Sequence, residues 1–294
     1  KPKSAISKSM EAHENLKNSF GLAASYAGLG FYYSFSKEVE LEKAKQNFEE
    51  AVRIYESLNF KDGLAIVYSM LGDYYYTKGQ LDEGIIYFNK SLKISLETGN
   101  KFLEGTVYDG LGRLYVAKGE FGNAKDFYEK LLVINENTGN KIGYKNTLYS
   151  LASLYMQQLS YDKALEYLNT INEKSKEDND LRNQINALKQ IGSIYYNMGQ
   201  YEESVKKYKE ILTLEDKLNF GKFRSIDLME VYAGLGECFG QIGDKEQGEK
   251  YFQQALKEAG DTKDEGAIGY IYMRLGGFYS RVNDSSKSID AYKK

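Results

Sequence analysis

Three glycine pairs are the first residues of this chain that could do chemistry. Gly28-Leu29-Gly30, Gly110-Leu111-Gly112 and Gly234-Leu235-Gly236 imitate the start of a dinucleotide fingerprint, in which glycines let the backbone approach a pyrophosphate. None has the third glycine in register, and each lies inside a helical pattern with no strand before it, so phosphate binding is not expected. Glu49-Glu50 and Glu202-Glu203 are acid pairs of the kind that could divide general-acid and general-base roles. Adjacent residues on a helix do not face each other, and both pairs read as solvated. The single cysteine, Cys238, occupies a slot held elsewhere by Tyr32, Tyr74, Leu114, Leu154, Ile194 and Phe278, so a core thiol is expected rather than a nucleophile. The single histidine, His13, reads as a helix-surface residue and would need a distant nucleophile. One cysteine excludes an internal disulfide and any metal site built on two cysteines. No enzymatic activity, cofactor or metal centre is expected.

Composition narrows the remaining classes. The 294 residues suit one large or two ordinary domains, and 42% hydrophobic content is enough for a core. No run approaches the roughly 18 apolar residues of a membrane span. A net charge of −3 gives no electrostatic case for nucleic acid or an anionic membrane as partner. One proline, 27 tyrosines and no tryptophan point to an almost wholly helical chain packed through tyrosines. A tyrosine ladder could stack nucleic-acid bases, but at helical spacing beside a Leu-Gly step it is expected to be core; Tyr76 and Tyr196, four after the small residue, fall off that stripe. The chain opens on Lys1 with no signal-peptide pattern, which points to a segment of a longer protein and to a cytoplasmic setting.

The elements that position all of these residues come from a repeat. The small residue of a Leu-Gly step recurs as Gly30, Gly72, Gly112, Ala152, Gly192, Gly236 and Gly276, at spacings of 42, 40, 40, 40, 44 and 40. Leu or Ile precedes each one. Four before stands Tyr26, Tyr68, Tyr108, Leu148, Leu188, Tyr232 or Tyr272, and three after stands an aromatic residue, Tyr33 through Tyr279. Each copy reads as two helices. In the third, Tyr108, Leu111 and Tyr115 share one face of a first helix over about Leu103–Ala117. Gly119 breaks it, and Phe121, Ala124, Tyr128 and Leu131 line a second helix. So short a turn makes the pair antiparallel. Glycine inside a helix costs about 1 kcal/mol against alanine, so its recurrence in one slot implies a close approach by the partner helix. Glu173–Asp180 is the most polar stretch, read as a solvated junction and the place for a mobile loop. A longer turn is expected over Ser34–Glu40 and an insertion around Leu218–Arg224. Lys90 and Lys130 read as exposed charges on second helices.

The pattern resembles the tetratricopeptide repeat, W-x2-L-G-x2-Y followed by A-x3-F. Tyr or Leu fills the Trp slot. The later small slot is Ala44, Gly84, Ala124, Ala164, Ser204, Gly248 and Ser288; the later large slot is Phe48, Phe88, Tyr128, Leu168, Tyr208, Phe252 and Tyr292. The closing proline is missing, and the period is near 40 rather than 34. This long form is similar to repeats of kinesin light chains, LGN-type polarity adaptors, bacterial peptide-sensing regulators and the sensory arms of some histidine kinases. The resemblance implies an all-α superhelical solenoid. Residues 1–20 would be the second helix of a preceding partial repeat. Repeats would follow over 21–60, 61–100, 101–140, 141–179, 180–221 and 222–262, with a truncated one over 263–294. Incomplete repeats at both ends would allow end-to-end self-association.

It also implies a site. First helices of this family line a concave groove, with slots six and three before, and one and four after, the small residue. Candidate groove residues are Asp73 and Tyr76 in the second copy, Asp109 and Arg113 in the third, Asn146, Tyr149, Ser153 and Met156 in the fourth, and Asn186, Lys189, Ser193 and Tyr196 in the fifth. Asn146 and Asn186 fill one slot a repeat apart and could bond the main chain of a protein or peptide ligand. Asp109 and Arg113 could instead pair with each other at i, i+4. The expected function is a non-enzymatic protein-binding scaffold; the alternatives are a regulatory input arm of a larger signalling protein and a structural spacer.

Overall fold

The computed structural model describes residues 2–15, 17–35, 40–215 and 224–294. The centre of the long turn expected at Ser34–Glu40 and most of the insertion expected around Leu218–Arg224 lie outside these residues. Among the described residues the chain is fifteen α-helices with no strand. They are α1 (Pro2–Asn15), α2 (Ser19–Phe35), α3 (Leu41–Ser57), α4 (Lys61–Thr77), α5 (Leu81–Thr98), α6 (Lys101–Ala117), α7 (Phe121–Asn137) and α8 (Lys141–Gln157). Then follow α9 (Tyr161–Glu177), α10 (Leu181–Asn197), α11 (Tyr201–Glu215), α12 (Arg224–Ile242), α13 (Lys245–Thr262), α14 (Glu265–Arg281) and α15 (Ser285–Tyr292). Two compact units divide inside α8, the first ending at Leu154 and the second starting at Tyr155. Even-numbered helices are the first helices of the repeat and odd-numbered ones the second. No described helix is long and apolar enough to cross a membrane.

The small slot is a seat for an aromatic ring. A Cβ added to Gly112 would lie 2.4 Å from the ring of Tyr128, the large-slot residue of the paired helix. The same holds for Gly30 under Phe48, Gly72 under Phe88, Gly236 under Phe252 and Gly276 under Tyr292, at 2.6–2.7 Å, and for Gly192 under Tyr208 at 3.0 Å. The fourth copy is the one with alanine in the small slot, Ala152, and it is also the one whose large slot is not aromatic, Leu168. A second glycine closes over some rings from the next first helix. Phe88 sits between Gly72 and Gly110, and Tyr208 between Gly192 and Gly234. In these two copies, Gly-Leu-Gly clamps the rings of two successive second helices. It is a packing device, which accounts for two of the three motifs that imitate a phosphate loop; a Cβ on Gly28 of the third would meet no described atom within 4 Å.

Hydroxyls reinforce the same seam. Ser204 Oγ donates to the carbonyl of Gly192 at 2.7 Å, and Ser288 Oγ to that of Gly276 at 2.9 Å. Further out, half-buried rings stack between the paired helices: Tyr75 on Tyr87, Tyr115 on Phe127 and Phe239 on Tyr251, with centroids 5.2–5.5 Å apart and near-parallel planes. Lys90 and Lys130 are therefore not isolated charges. Lys90 lies over Tyr68 and Tyr87, and Lys130 over Tyr108 and Phe127, at 4.7–5.9 Å from the ring centres. An exposed ammonium over a ring contributes about 0.5–1 kcal/mol.

Among the described residues, the turns between helices use a left-handed residue where the chain reverses. Gly79, Gly119, Gly199 and Gly243 take φ of 72–90° between the helices of a pair, and Asn283 and Leu159 take the same slot at 59° and 56°. The polar stretch 173–180 is mostly helix: α9 runs to Glu177, Asn179 reverses the chain at φ 53°, and Asp180 caps α10 by accepting from the Asn183 amide. Its polarity is that of a solvated helix end and a cap rather than of a loop.

Candidate functional site

The lone cysteine and the lone histidine are each engaged in packing and hydrogen-bond contacts. Cys238 is fully buried and shares a 3.2 Å hydrogen bond with the Ser204 hydroxyl. Burial pushes its thiol up to about 11, so it is protonated near neutrality and a poor nucleophile. His13 packs over Gly21, and its Nδ1 lies 3.3 Å from the Asn18 carboxamide.

In the first unit, four of the groove candidates come together. Residues spaced i, i+4, i+7 and i+11 share a helix face, which on α6 carries Phe102, Thr106, Asp109 and Arg113. The Arg113 guanidinium donates from Nε to Asp109 at 3.0 Å and from Nη2 to Asp73 of α4 at 2.8 Å, and it lies 5.5 Å from the centre of the Tyr76 ring. Burial works against its charge, but the bonds to Asp73 and Asp109 outweigh that cost and hold its pKa above the ordinary value. The expected i, i+4 pair is thus present and extends into a tie between successive first helices. Tyr128 reaches this cluster from α7; burial first, then the charge of Asp109, lifts its phenol to about 12.

Beside the cluster lies a cleft of about 550 Å³. Phe102, Asp109 and Arg113 of α6 form one wall and Asn146 of α8 another, with Leu131 and Ile134 of α7 among the lining. Amides stiffen its base. Asn140 Nδ2 donates to Asn135 Oδ1 at 2.9 Å, Asn135 Nδ2 donates to Thr147 Oγ1 at 3.1 Å, and Asn140 Oδ1 accepts from the Gly143 amide at 3.0 Å, starting α8. Asn146 is exposed, and its carboxamide has no hydrogen-bond partner among the described residues. Tyr149 is half-buried and Ser153 exposed on the same helix.

Sequence reasoning missed Phe102. Its side chain is 81% exposed at the cleft, and Ile142, its counterpart one repeat on, is 73% exposed. The signal was present: both stand four before a slot already singled out, Thr106 and Asn146, and so continue the same stripe.

The second unit holds the other candidates. Lys189 Nζ of α10 donates to Glu230 of α12 at 3.0 Å. Ser193 lines a smaller cavity, of about 290 Å³. Asn186 is half-buried, with no hydrogen-bond partner for its side chain among the described residues. The Tyr196 hydroxyl accepts from Gln241 Nε2 at 3.2 Å, and its ring packs edge-on against Tyr201. Met156 is half-buried near the end of α8. Arg274 of α14, which sequence reasoning did not single out, makes a two-pronged bond to Glu237 of α12 at 2.6 and 2.9 Å, with both side chains 16% exposed.

Comparison with known proteins agrees with this architecture. The family profile described as "Tetratricopeptide repeat" matches residues 63–137 and 183–259, together just over half of the chain. No curated protein sequence matches. Among solved structures, BtubC (BKLC) from P. vanneervenii superposes with a TM-score of 0.63 at 20% identity, over 78% of this chain and 92% of that one. A Signal Transduction ATPase with Numerous Domains protein with a tetratricopeptide repeat sensor, from Pyrococcus horikoshii, gives 0.67 at 22%, over 82% of this chain but only 37% of that one. The apo form of the quorum sensor NprR from B. thuringiensis gives 0.56 at 13%, over 99% and 96%. At such identities the likeness is one of fold.

Proposed function

The chain belongs to the tetratricopeptide repeat family, and from that membership we propose that it is a non-enzymatic scaffold that binds a protein partner through a peptide segment laid on its first helices. The observation that carries this reading is the cleft of about 550 Å³ between α6 and α8. Such a volume lies within the roughly 300–1,000 Å³ usual for ligand pockets. An exposed phenylalanine stands at this cleft, and a carboxamide with no hydrogen-bond partner among the described residues lines it. Burying Phe102 under a ligand side chain would contribute about 1.5–3 kcal/mol. Asn146 would bond ligand main chain in the first unit; Asn186 offers the second unit, taken by itself, a carboxamide of the same kind. Arg113, already held by two aspartates, would shape the cleft more than it attracts an anion.

The test is selection of random phage-displayed peptides on the whole chain, then calorimetric titration of those recovered. Phe102→Ala should weaken binding at least tenfold. Asn146→Ala should weaken it about two- to tenfold, the worth of one neutral hydrogen bond. Glu83→Ala, an exposed change on α5, should leave it unchanged. Equal losses for Glu83→Ala and Phe102→Ala, or no recovered peptide, would defeat the reading.

A regulatory input arm is the second reading. It draws on the solved structures whose titles call them a sensor, one containing a repeat sensor within a larger ATPase and one a quorum sensor. The sequence of the parent protein separates the two readings: an effector domain in the same chain favours the input arm, and the cleft would then be its ligand site.

A further inference from the structure

In the 290 Å³ cavity of the second unit the charged groups are already paired and the uncharged ones are not. Lys189 is bonded to Glu230, and Arg274 to Glu237. These four charges cancel, so a charged guest would have to break a pair or enter against a like charge. Besides Tyr270, three lining residues carry uncharged hydrogen-bonding groups: Tyr208, Ser193 and Gln190. None of these side chains has a hydrogen-bond partner among the described residues. The Tyr270 ring, with the Arg274 guanidinium 5.6 Å from its centre, supplies a flat wall.

Tyr208 is the telling member. It belongs to α11, a second helix, and reaches the cavity by passing its ring between Gly192 and Gly234. Only 8% of it is exposed. The seat does not need a hydroxyl, because Phe48, Phe88 and Phe252 fill the same slot in other copies and are buried there. The Tyr208 hydroxyl is not one of the buried atoms left without a partner, so it opens to solvent and is available for a hydrogen bond, whereas phenylalanine would pack equally well and offer none. The hydroxyl therefore has a use in the cavity rather than in the core. Tyr128, which also carries one, ends among Asp109, Arg113 and Ser150 and does not line the cleft of its own unit.

We propose that this cavity is a specificity subsite for a carboxamide side chain, Asn or Gln, of a bound peptide. A carboxamide carries an acceptor oxygen and two donor hydrogens without charge. It therefore matches two hydroxyls and an amide, and its plane lies against Tyr270. A volume of about 290 Å³ admits one side chain rather than a longer segment. The assignment rests on the peptide-scaffold reading and concerns the second unit by itself, adding which side chain that unit reads.

Peptides are selected from a random phage-displayed library on the whole chain, and in parallel on Tyr208→Phe, with thermal denaturation confirming that the variant folds. Wild-type selection should enrich Asn or Gln at one position. Replacing that residue by Leu or by Glu should weaken binding to the wild type about two- to tenfold, and Tyr208→Phe should remove most of the difference between Gln and Leu. Ser193→Ala, outside the ring seat, should act in the same direction. A charged or apolar consensus overturns the proposal, and so does a Gln-to-Leu difference that survives Tyr208→Phe. Either result leaves the scaffold reading standing; recovery of no peptide removes both.

Discussion

At the scale of single residues, the chain is governed by the match between a missing side chain and an aromatic ring. Gly112 and Tyr128 test it. Gly112→Ala adds about 1 kcal/mol of helix propensity but sets a Cβ 2.4 Å from the ring. Overpacking of that kind costs about 1–3 kcal/mol, so the substitution should lower stability on balance. Tyr128→Leu trims the ring to what the fourth copy carries opposite its alanine. The double variant Gly112→Ala/Tyr128→Leu should then be more stable than the sum of the two single losses predicts, by about 0.5–3 kcal/mol of coupling. Urea unfolding of the four proteins measures this, and strict additivity would show that the two residues do not meet. The recurrence of glycine was legible in the sequence. Its partner was not named, because the large slot lies sixteen residues further on, in another helix, and nothing in local periodicity says which ring covers which gap.

At the scale of the element, each helix ends on a reversal that a side chain can fit or strain. Leu159 holds φ 56° where other copies place glycine or asparagine, and its side chain is 71% exposed. A left-handed conformation costs an L-residue roughly 1–2 kcal/mol, and little packing offsets it here. Leu159→Gly should therefore raise the melting temperature, with a gain on the order of 1 kcal/mol by differential scanning calorimetry. A loss would mean that Leu159 packs in solution. The starts of the helices are better matched. Asp244 and Asp284 accept from the amides three residues on at 3.0–3.2 Å, and Asp264 accepts from Gly266 and Ala267 at 2.9 and 3.3 Å. Such caps contribute about 0.5–2 kcal/mol each. The junction at 173–180 shows the limit of composition: charge density reads as loop, yet a helix end with a solvated face has the same composition.

At the scale of the molecule, stability in a repeat chain is set by neighbours. The damage from Gly112→Ala should stay near α6 and the helices packed on it. Hydrogen exchange followed by mass spectrometry should show lost protection in α5, α6 and α7, while α13 to α15, in the other compact unit, keep theirs. Uniform loss along the chain would mean that the two units unfold as one.

The sequence by itself determined the helical class and the pairing of first with second helices. Both follow from a period of 3.6 residues and from a step that recurs about every forty, which are local properties of the chain. The resemblance to the repeat family, rather than the period, put Asp73, Tyr76, Asp109 and Arg113 on one stripe of the first helices. Only the tertiary structure decided which polar groups on it are spoken for. Arg113 is bound by aspartates from two helices, and Lys189 and Arg274 each by a glutamate about forty residues away, while the side chains of Asn146, Asn186 and Ser193 have no hydrogen-bond partner among the described residues. It alone showed Phe102 standing open at a cleft and Tyr208 passing between two glycines from one layer of helices to the other. Such facts depend on distances between helices, and a pattern read along one helix at a time does not contain them.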